Sequence, residues 1–334
     1  MVSAPTGLTP RTCDPHLGSC LVSDPVGMTP QLPRTIRTLE ATTRLDQLLQ
    51  HCLNALMLGG TYALLGIGLT LIFGIMRVVN FTHGELYAFG AYCMYALVVP
   101  VGMNFFLALL LAMVLGAVLG AVIEMLLLGR LRGADIDTTM LVMIGAWIAM
   151  QNTEQLIWSG VALTVPNPFP SAPLVVGPLS VSWLRVFVLF TALGLIVAAY
   201  AVVNRTKLGK AMRATFQDRE TAALMGVRID RMHTATFALG SGLAAAGGAL
   251  LGPVFVVTPT MGDLAAAKAF AIVILGGLGN IAGATIGGFI LAFAEELGAG
   301  YISSGYRDAM GFVLIIIILL VKPTGLFAQR ERIG

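Results

Sequence analysis

The stretch "RTKLGKAMRATFQDRETAALMGVRID", residues 205–230, holds nine charged side chains in twenty-six positions. The full chain of 334 residues has only 20 Lys or Arg and 17 Asp or Glu. Leu208, Ala211, Met212, Thr215 and Phe216 follow the spacing of one helical face, and Lys210 and Arg213 fall off it. Arg219 would break that stripe if the helix continued. Asp218 is placed to cap a new helical turn, Glu220 lies at its positive end, and Gly226 suits the left-handed residue that closes it. The spacing predicts two short helices joined by a kink at the membrane surface. Cytoplasmic loops are basic by default, but a loop that serves only to stay inside has no need of two capped helices.

Outward from this stretch the chain is apolar. It is 57% hydrophobic and 11% charged, with a mean hydropathy of +0.87. A soluble domain carries about 25% charged residues, so a soluble fold of this size is excluded. Continuous apolar runs such as "GFVLIIIILLV" (311–321) lack the period-2 alternation of a membrane β-barrel. The fold class is all-α: a polytopic transmembrane helical bundle. A net charge of +3 gives no ground for nucleic acid as a partner; membrane lipid is the surrounding phase.

About eight spans are predicted, near 48–75, 86–106, 107–128, 139–158, 183–203, 234–254, 265–298 and 309–321. Arg130 and Arg132, the opening stretch, and Lys322 with Arg330 and Arg332 belong to the cytoplasm by the positive-inside rule. The uncharged, proline-rich segment 159–182 belongs outside. An even number of crossings must join Arg231 to Lys322, so 265–298 must turn back on itself. It is interrupted by "LGGLGN", where Gly276, Gly277 and Gly279 weaken a helix by roughly 1 kcal/mol each. A Gly-broken helix follows. Residues 1–45 are polar and read as a disordered tail, 46–328 as the transmembrane domain with a cytoplasmic loop at 204–233, and 329–334 as a cytoplasmic tail. Cys13 and Cys20 in the first segment could pair in an oxidising compartment. The pairs Gly116/Gly120 and Gly283/Gly287 allow close helix approach, within one subunit or between subunits.

"NFTHGE" places Asn80, His83 and Glu85 between two spans, with Gly84 to bend the chain. Ionisable groups inside a bilayer are costly, so the cluster sits at an interface or lines a polar path. It lacks the three or four ligands of a zinc site, and no metal site is expected. Glu124 lies within reach of Arg130 and Arg132. Glu295 or Glu296 could pair with Arg307. Glu154 with Gln151, Asn152 and Gln155 makes one end of the fourth span polar, a mouth where an external protein could dock. No nucleophile–base arrangement stands out, so no catalytic residue is expected.

Three segments carry a family resemblance over roughly residues 48–328. "RTKLGKAMRATFQDRETAALMGVRIDRMHTATFALGSGLAAAGGAL" resembles the cytoplasmic loop of permease subunits of ABC importers, specifically the LivH-type permeases of branched-chain amino acid uptake. "GGTYALLGIGLTLIFGIMRVVNFTHGELYAFGAY" resembles their N-terminal signature. "AFAIVILGGLGNIAGATIGGFILAFAEE" with "KPTGLF" resembles their C-terminal half.

The resemblance implies a multi-pass permease of the plasma (inner) membrane. Its expected partners are a homologous second permease, two cytoplasmic ATPase subunits and a soluble substrate-binding protein. It implies that the loop is the coupling element, with Arg213, Phe216, Gln217, Asp218, Glu220 and Gly226 as its site residues. Asn80, His83, Gly84, Glu85, Gly276, Gly277 and Gly279 fall to the translocation path and its gating. No phosphate-binding loop is present, so ATP would be bound by partner subunits and no cofactor by this chain. A urea or short-amide permease is the first alternative. An ion-coupled secondary transporter using Glu85, Glu124 and Glu295 is the second.

Overall fold

A computed structural model describes residues 34–131, 133–176, 179–322 and 325–327, with side chains from residue 46 onward except at 176 and 179. The expected tail over 1–45 falls outside the described residues as far as residue 33, as do Cys13 and Cys20; from Arg34 the chain is helical. The order is α1 (Arg34–Met76), α2 (His83–Val98), α3 (Phe105–Leu126), α4 (Ile136–Trp158), then a hairpin of β1 (Leu174–Val176) and β2 (Leu179–Val181). It continues with α5 (Trp183–Arg205), α6 (Lys207–Gln217), α7 (Arg219–Leu224), α8 (Ile229–Leu251), α9 (Met261–Gly276), α10 (Ile281–Tyr301) and α11 (Arg307–Val321).

Six of these segments are long and apolar enough to cross a membrane: Asp46–Met76, Phe105–Leu131, Trp183–Arg205, Ile229–Leu251, Ile281–Tyr301 and Ser304–Val321. The expected figure of about eight spans is therefore approximate. Helices α2 and α9, at 16 residues each, are shorter than a full crossing. Helix α4 is long enough, but Gln151, Asn152, Glu154 and Gln155 make its last turns polar.

The core lies where α1, α2 and α8 meet, around Leu64, Tyr92, Phe237 and Leu250. Small residues let these backbones touch. The pair Gly116/Gly120 of α3 packs on Ala245 and Ser241 of α8, and Gly283/Gly287 of α10 packs on α9. Both pairs serve packing within this chain.

The predicted break lies between α9 and α10. Gly277 and Gly279 have φ of +87° and +78°, the left-handed region that glycine enters without a steric penalty. Asn280 then caps α10 by accepting from the Gly283 N–H at 3.0 Å. Segment 265–298 thus turns back, as the crossing count requires.

One end of the bundle gathers Arg77 at the end of α1, α6 and α7, and the α9–α10 break. Arg130 faces Asp230 and Arg231 at the start of α8 across a cleft at this end. The chain's last described residues lie here too, where the Leu326 N–H donates to Leu275 O at 2.9 Å. At the other end Leu163 bridges Val257, joining the proline-rich loop to the α8–α9 connection. The positive charges identify the first end as cytoplasmic.

Candidate coupling surface and translocation path

The cytoplasmic hairpin forms from its own caps. The Thr206 hydroxyl accepts from the Gly209 N–H at 3.0 Å and opens α6. The Asp218 carboxylate accepts from the N–H groups of Glu220 and Thr221, at 2.9 and 3.0 Å, and from the Thr221 hydroxyl at 2.6 Å. These bonds, the Thr221 hydroxyl's first, hold the Asp218 carboxyl below the usual aspartate range. Gly226, with φ of +85°, closes α7.

The predicted apolar face points inward. Met212 is buried, and the Phe216 ring lies against Gly279 in the α9–α10 break and Gly74 of α1. Arg213 bends back to α5, where it donates to the Val203 carbonyl and, at 3.1 Å, to Asn204 Oδ1. What the hairpin presents outward is Gln217, Arg219, Glu220 and two large apolar side chains, Leu224 and Met225, 88% and 81% exposed. The sequence reading passed over these two, although an apolar pair just before Gly226 in a polar loop was the available signal. Between α1, α5, α6 and the break lies a cleft of about 490 Å³, lined by Thr70, Asn204, Arg213, Phe216 and Asn280 among others.

Inside the bundle, Asn80, His83, Gly84 and Glu85 are brought to one place and fully shielded. Asn80 Oδ1 accepts from the Thr82 N–H at 3.1 Å and sets the turn into α2. His83 Nε2 donates to the Leu65 carbonyl of α1 at 3.0 Å. Leu65 lies about three turns inside the end of α1, so the chain after Met76 climbs back into the bundle before α2 begins. Gly84 is required for a different reason than a bend. A Cβ there would lie 2.0 Å from the Gly262 carbonyl oxygen, so α2 and α9 cross in backbone contact at these two glycines. Gly276, Gly277 and Gly279 are not part of this group; they form the break at the cytoplasmic end, where Gly276 packs on Gly283 and Gly279 on Phe216.

The crossing aligns two carboxylates. Glu85 is the third residue of α2, and Asp263 the third of α9. Trp147 Nε1 of α4 donates to both, at 3.1 Å each, and Gln151 Nε2 adds bonds of 3.0 Å to both oxygens of Asp263. The polar end of α4 therefore divides: Asn152 and Gln155 are exposed, whereas Glu154 is buried and faces the bundle.

A second buried group ties α1, α9, α10 and α11 together. Lys268 Nζ contacts Glu295 Oε2 at 2.8 Å, Asp308 Oδ1 at 2.9 Å and the Tyr62 hydroxyl at 2.6 Å, and Tyr62 donates to Glu295 at 2.8 Å. Glu296 pairs with Arg307 at 2.7 Å, one of the two pairings expected. Glu295 pairs instead with Lys268, which the sequence reading passed over. Glu124 accepts from the Thr234 hydroxyl of α8. Among the described residues no group of His, Cys, Asp or Glu converges as metal ligands.

A multi-crossing helical body, a capped hairpin on its positive face and a polar group at the crossing of two short helices define a membrane permease. Residues 51–321 match the family described as branched-chain amino acid transport system / permease component, and the chain belongs to that family. It is 33% identical over 301 residues to the high-affinity branched-chain amino acid transport system permease protein LivH of Escherichia coli K12, covering 85% of this chain and 96% of the relative. It is 32% identical over 297 residues to the corresponding protein BraD of Pseudomonas aeruginosa, with the same coverage. A shorter likeness, 36% over 139 residues and 38% of this chain, joins it to the fructose import permease protein FrcC of Rhizobium meliloti. No solved structure gives a significant match. Membership of a transport family and six span-capable helices make this a multi-pass membrane protein and a component of a larger transport system. The ion-coupled alternative has no support from the family.

Proposed function

We propose that this chain is the permease subunit of an ABC importer of the plasma (inner) membrane, carrying branched-chain or related amino acids. ATP is bound and hydrolysed by two cytoplasmic ATPase subunits, this chain binding no cofactor and catalysing no reaction itself. A homologous second permease completes the membrane body, and a soluble binding protein delivers substrate from outside. The observation that carries this reading is the Phe216 contact. A hairpin that offers Leu224 and Met225 to a cytoplasmic partner touches, through Phe216, the glycine break between α9 and α10. Force on the hairpin reaches the transmembrane helices directly. Gln217, Arg219 and Glu220 supply polar contacts around the apolar pair, while Arg213 and Asp218 hold the hairpin's shape.

The test is affinity purification of the tagged chain from native membranes in mild detergent, with mass spectrometry of what accompanies it. A co-purifying ATPase and a second hydrophobic permease are expected. A folded chain recovered alone, reproducibly, would overturn the reading. Uptake by the reconstituted complex then separates branched-chain amino acids from urea or short amides. The latter stay open because a stretch of this body is also similar to a sugar permease, so such a body is compatible with different cargo.

A further inference from the structure

The group around Glu85 has an unbalanced charge. Glu85 and Glu154 are 0% and 3% exposed, and Asp263 is partly buried beside them. Among the described residues no Lys, Arg or His pairs with any of the three; the ion pairs found nearby in α9 and α10 belong to Lys268 and Arg307. Trp147 shares one N–H between Glu85 and Asp263, which leaves Glu85 Oε2 without a hydrogen bond, and both oxygens of Glu154 have none. A separate side chain packs beside Glu154: Tyr92 stacks on Trp158, one helical turn further along α4. The Tyr92 hydroxyl on α2 is fully buried and has no partner.

Buried acceptors without donors are destabilising, more so when charged. Glu85 and Asp263 sit in the first turns of their helices, where the backbone dipoles favour negative charge. That offsets part of the cost and leaves Glu154 unserved. A cationic donor would complete the group. A primary ammonium brings three N–H donors on one positive charge, which suits carboxylate oxygens that lack hydrogen bonds.

Residues Trp147, Gln151, Glu154 and Trp158 follow helical spacing on one face of α4, and Trp158 stacks on Tyr92 with centroids 4.5 Å apart. The acceptors thus run from the outer end of α4 inward to the Gly84–Gly262 crossing. We infer that Glu154, Glu85 and Asp263, with Tyr92, form a binding site for a primary ammonium group on its way through the membrane. This rests on the permease reading only for the identity of the cation, the amino group of the transported zwitterion.

The experiment uses the purified complex of this chain with its co-purifying subunits in nanodiscs of phosphatidylcholine, a lipid without a primary ammonium. Saturation-transfer NMR reads the binding of methylammonium, with acetate as the anionic control and sodium chloride as competitor. Methylammonium should receive saturation and acetate should not. Glu154→Gln and Asp263→Asn should each weaken methylammonium binding at least threefold, and the two combined at least tenfold. Glu154→Asp should restore most of it, which a merely structural role would not explain. Subunit co-purification and elution volume show that each variant is assembled. Wild-type binding retained in the double variant would overturn the site. Displacement by sodium at equal concentration would also overturn it, in favour of a bare-cation site. Methylammonium bound by the wild type and lost in the variants, in a complex that takes up no amino acid, would keep the site and remove the amino-acid reading.

Discussion

The cytoplasmic hairpin and the α2–α9 crossing both place charge next to glycine, by opposite means. In the hairpin each charge is handled locally: Asp218 caps α7 within three residues, and solvent takes the rest. At the crossing nothing is local. Glu85 meets a tryptophan 62 positions away, and the fit depends on two glycines from distant helices. A surface element needs only the right residues in order. A buried polar element needs the whole bundle in register.

The comparison is broken most forcefully at Lys268. Lys268→Met leaves Glu295 and Asp308 without their cation, and removing one partner of a buried pair costs about 3–5 kcal/mol. A large fall in the thermal midpoint in detergent is expected, with much of it recovered when Glu295→Gln is added. Gly84→Ala comes next, because its Cβ would meet the Gly262 carbonyl; overpacking of this kind costs about 1–3 kcal/mol. Unchanged unfolding would mean that the helices do not cross there. Smaller in stability but decisive for assembly is the double change Leu224→Ala with Met225→Ala. The chain should stay folded while ATPase co-purification falls at least fivefold, against less than twofold for Arg213→Ala.

The smallest effect is that of pH on the hairpin. The folded pKa of Asp218 is depressed, so its contribution is fully present above the unfolded value near 3.9 and is lost only as pH falls through the lower folded value. ATPase association between pH 5 and 8 should therefore show no titration from this residue. A midpoint in that range abolished by Asp218→Asn would contradict the capping role.

The legible parts of the sequence were those governed by near neighbours. The stripe ending at Phe216, the Asp218 cap, the left-handed Gly226 and the helix break at Gly276, Gly277 and Gly279 all follow from spacing within a few residues. Lys268 was illegible because a single lysine in "LAAAKAFAIVIL" has no local partner; its carboxylates come from α10 and α11. Asp263 falls just before the predicted start of a span and read as part of a connection. The polarity contributed by Glu154 was legible and its burial was not, because no periodicity says which side of a sparsely buried helix meets α2. Nothing local showed that Gly84 faces Gly262.

The last described residues have a mechanical consequence. Leu326 is hydrogen-bonded to Leu275, and Asn280 Nδ2 donates to the Phe327 carbonyl at 2.9 Å, so this last described segment is tied to both flanks of the joint that Phe216 touches. Any bend between α9 and α10 must therefore carry the Leu326–Phe327 segment with it, and a spin-label pair on Phe327 and the exposed Arg219 would measure how far the two move together.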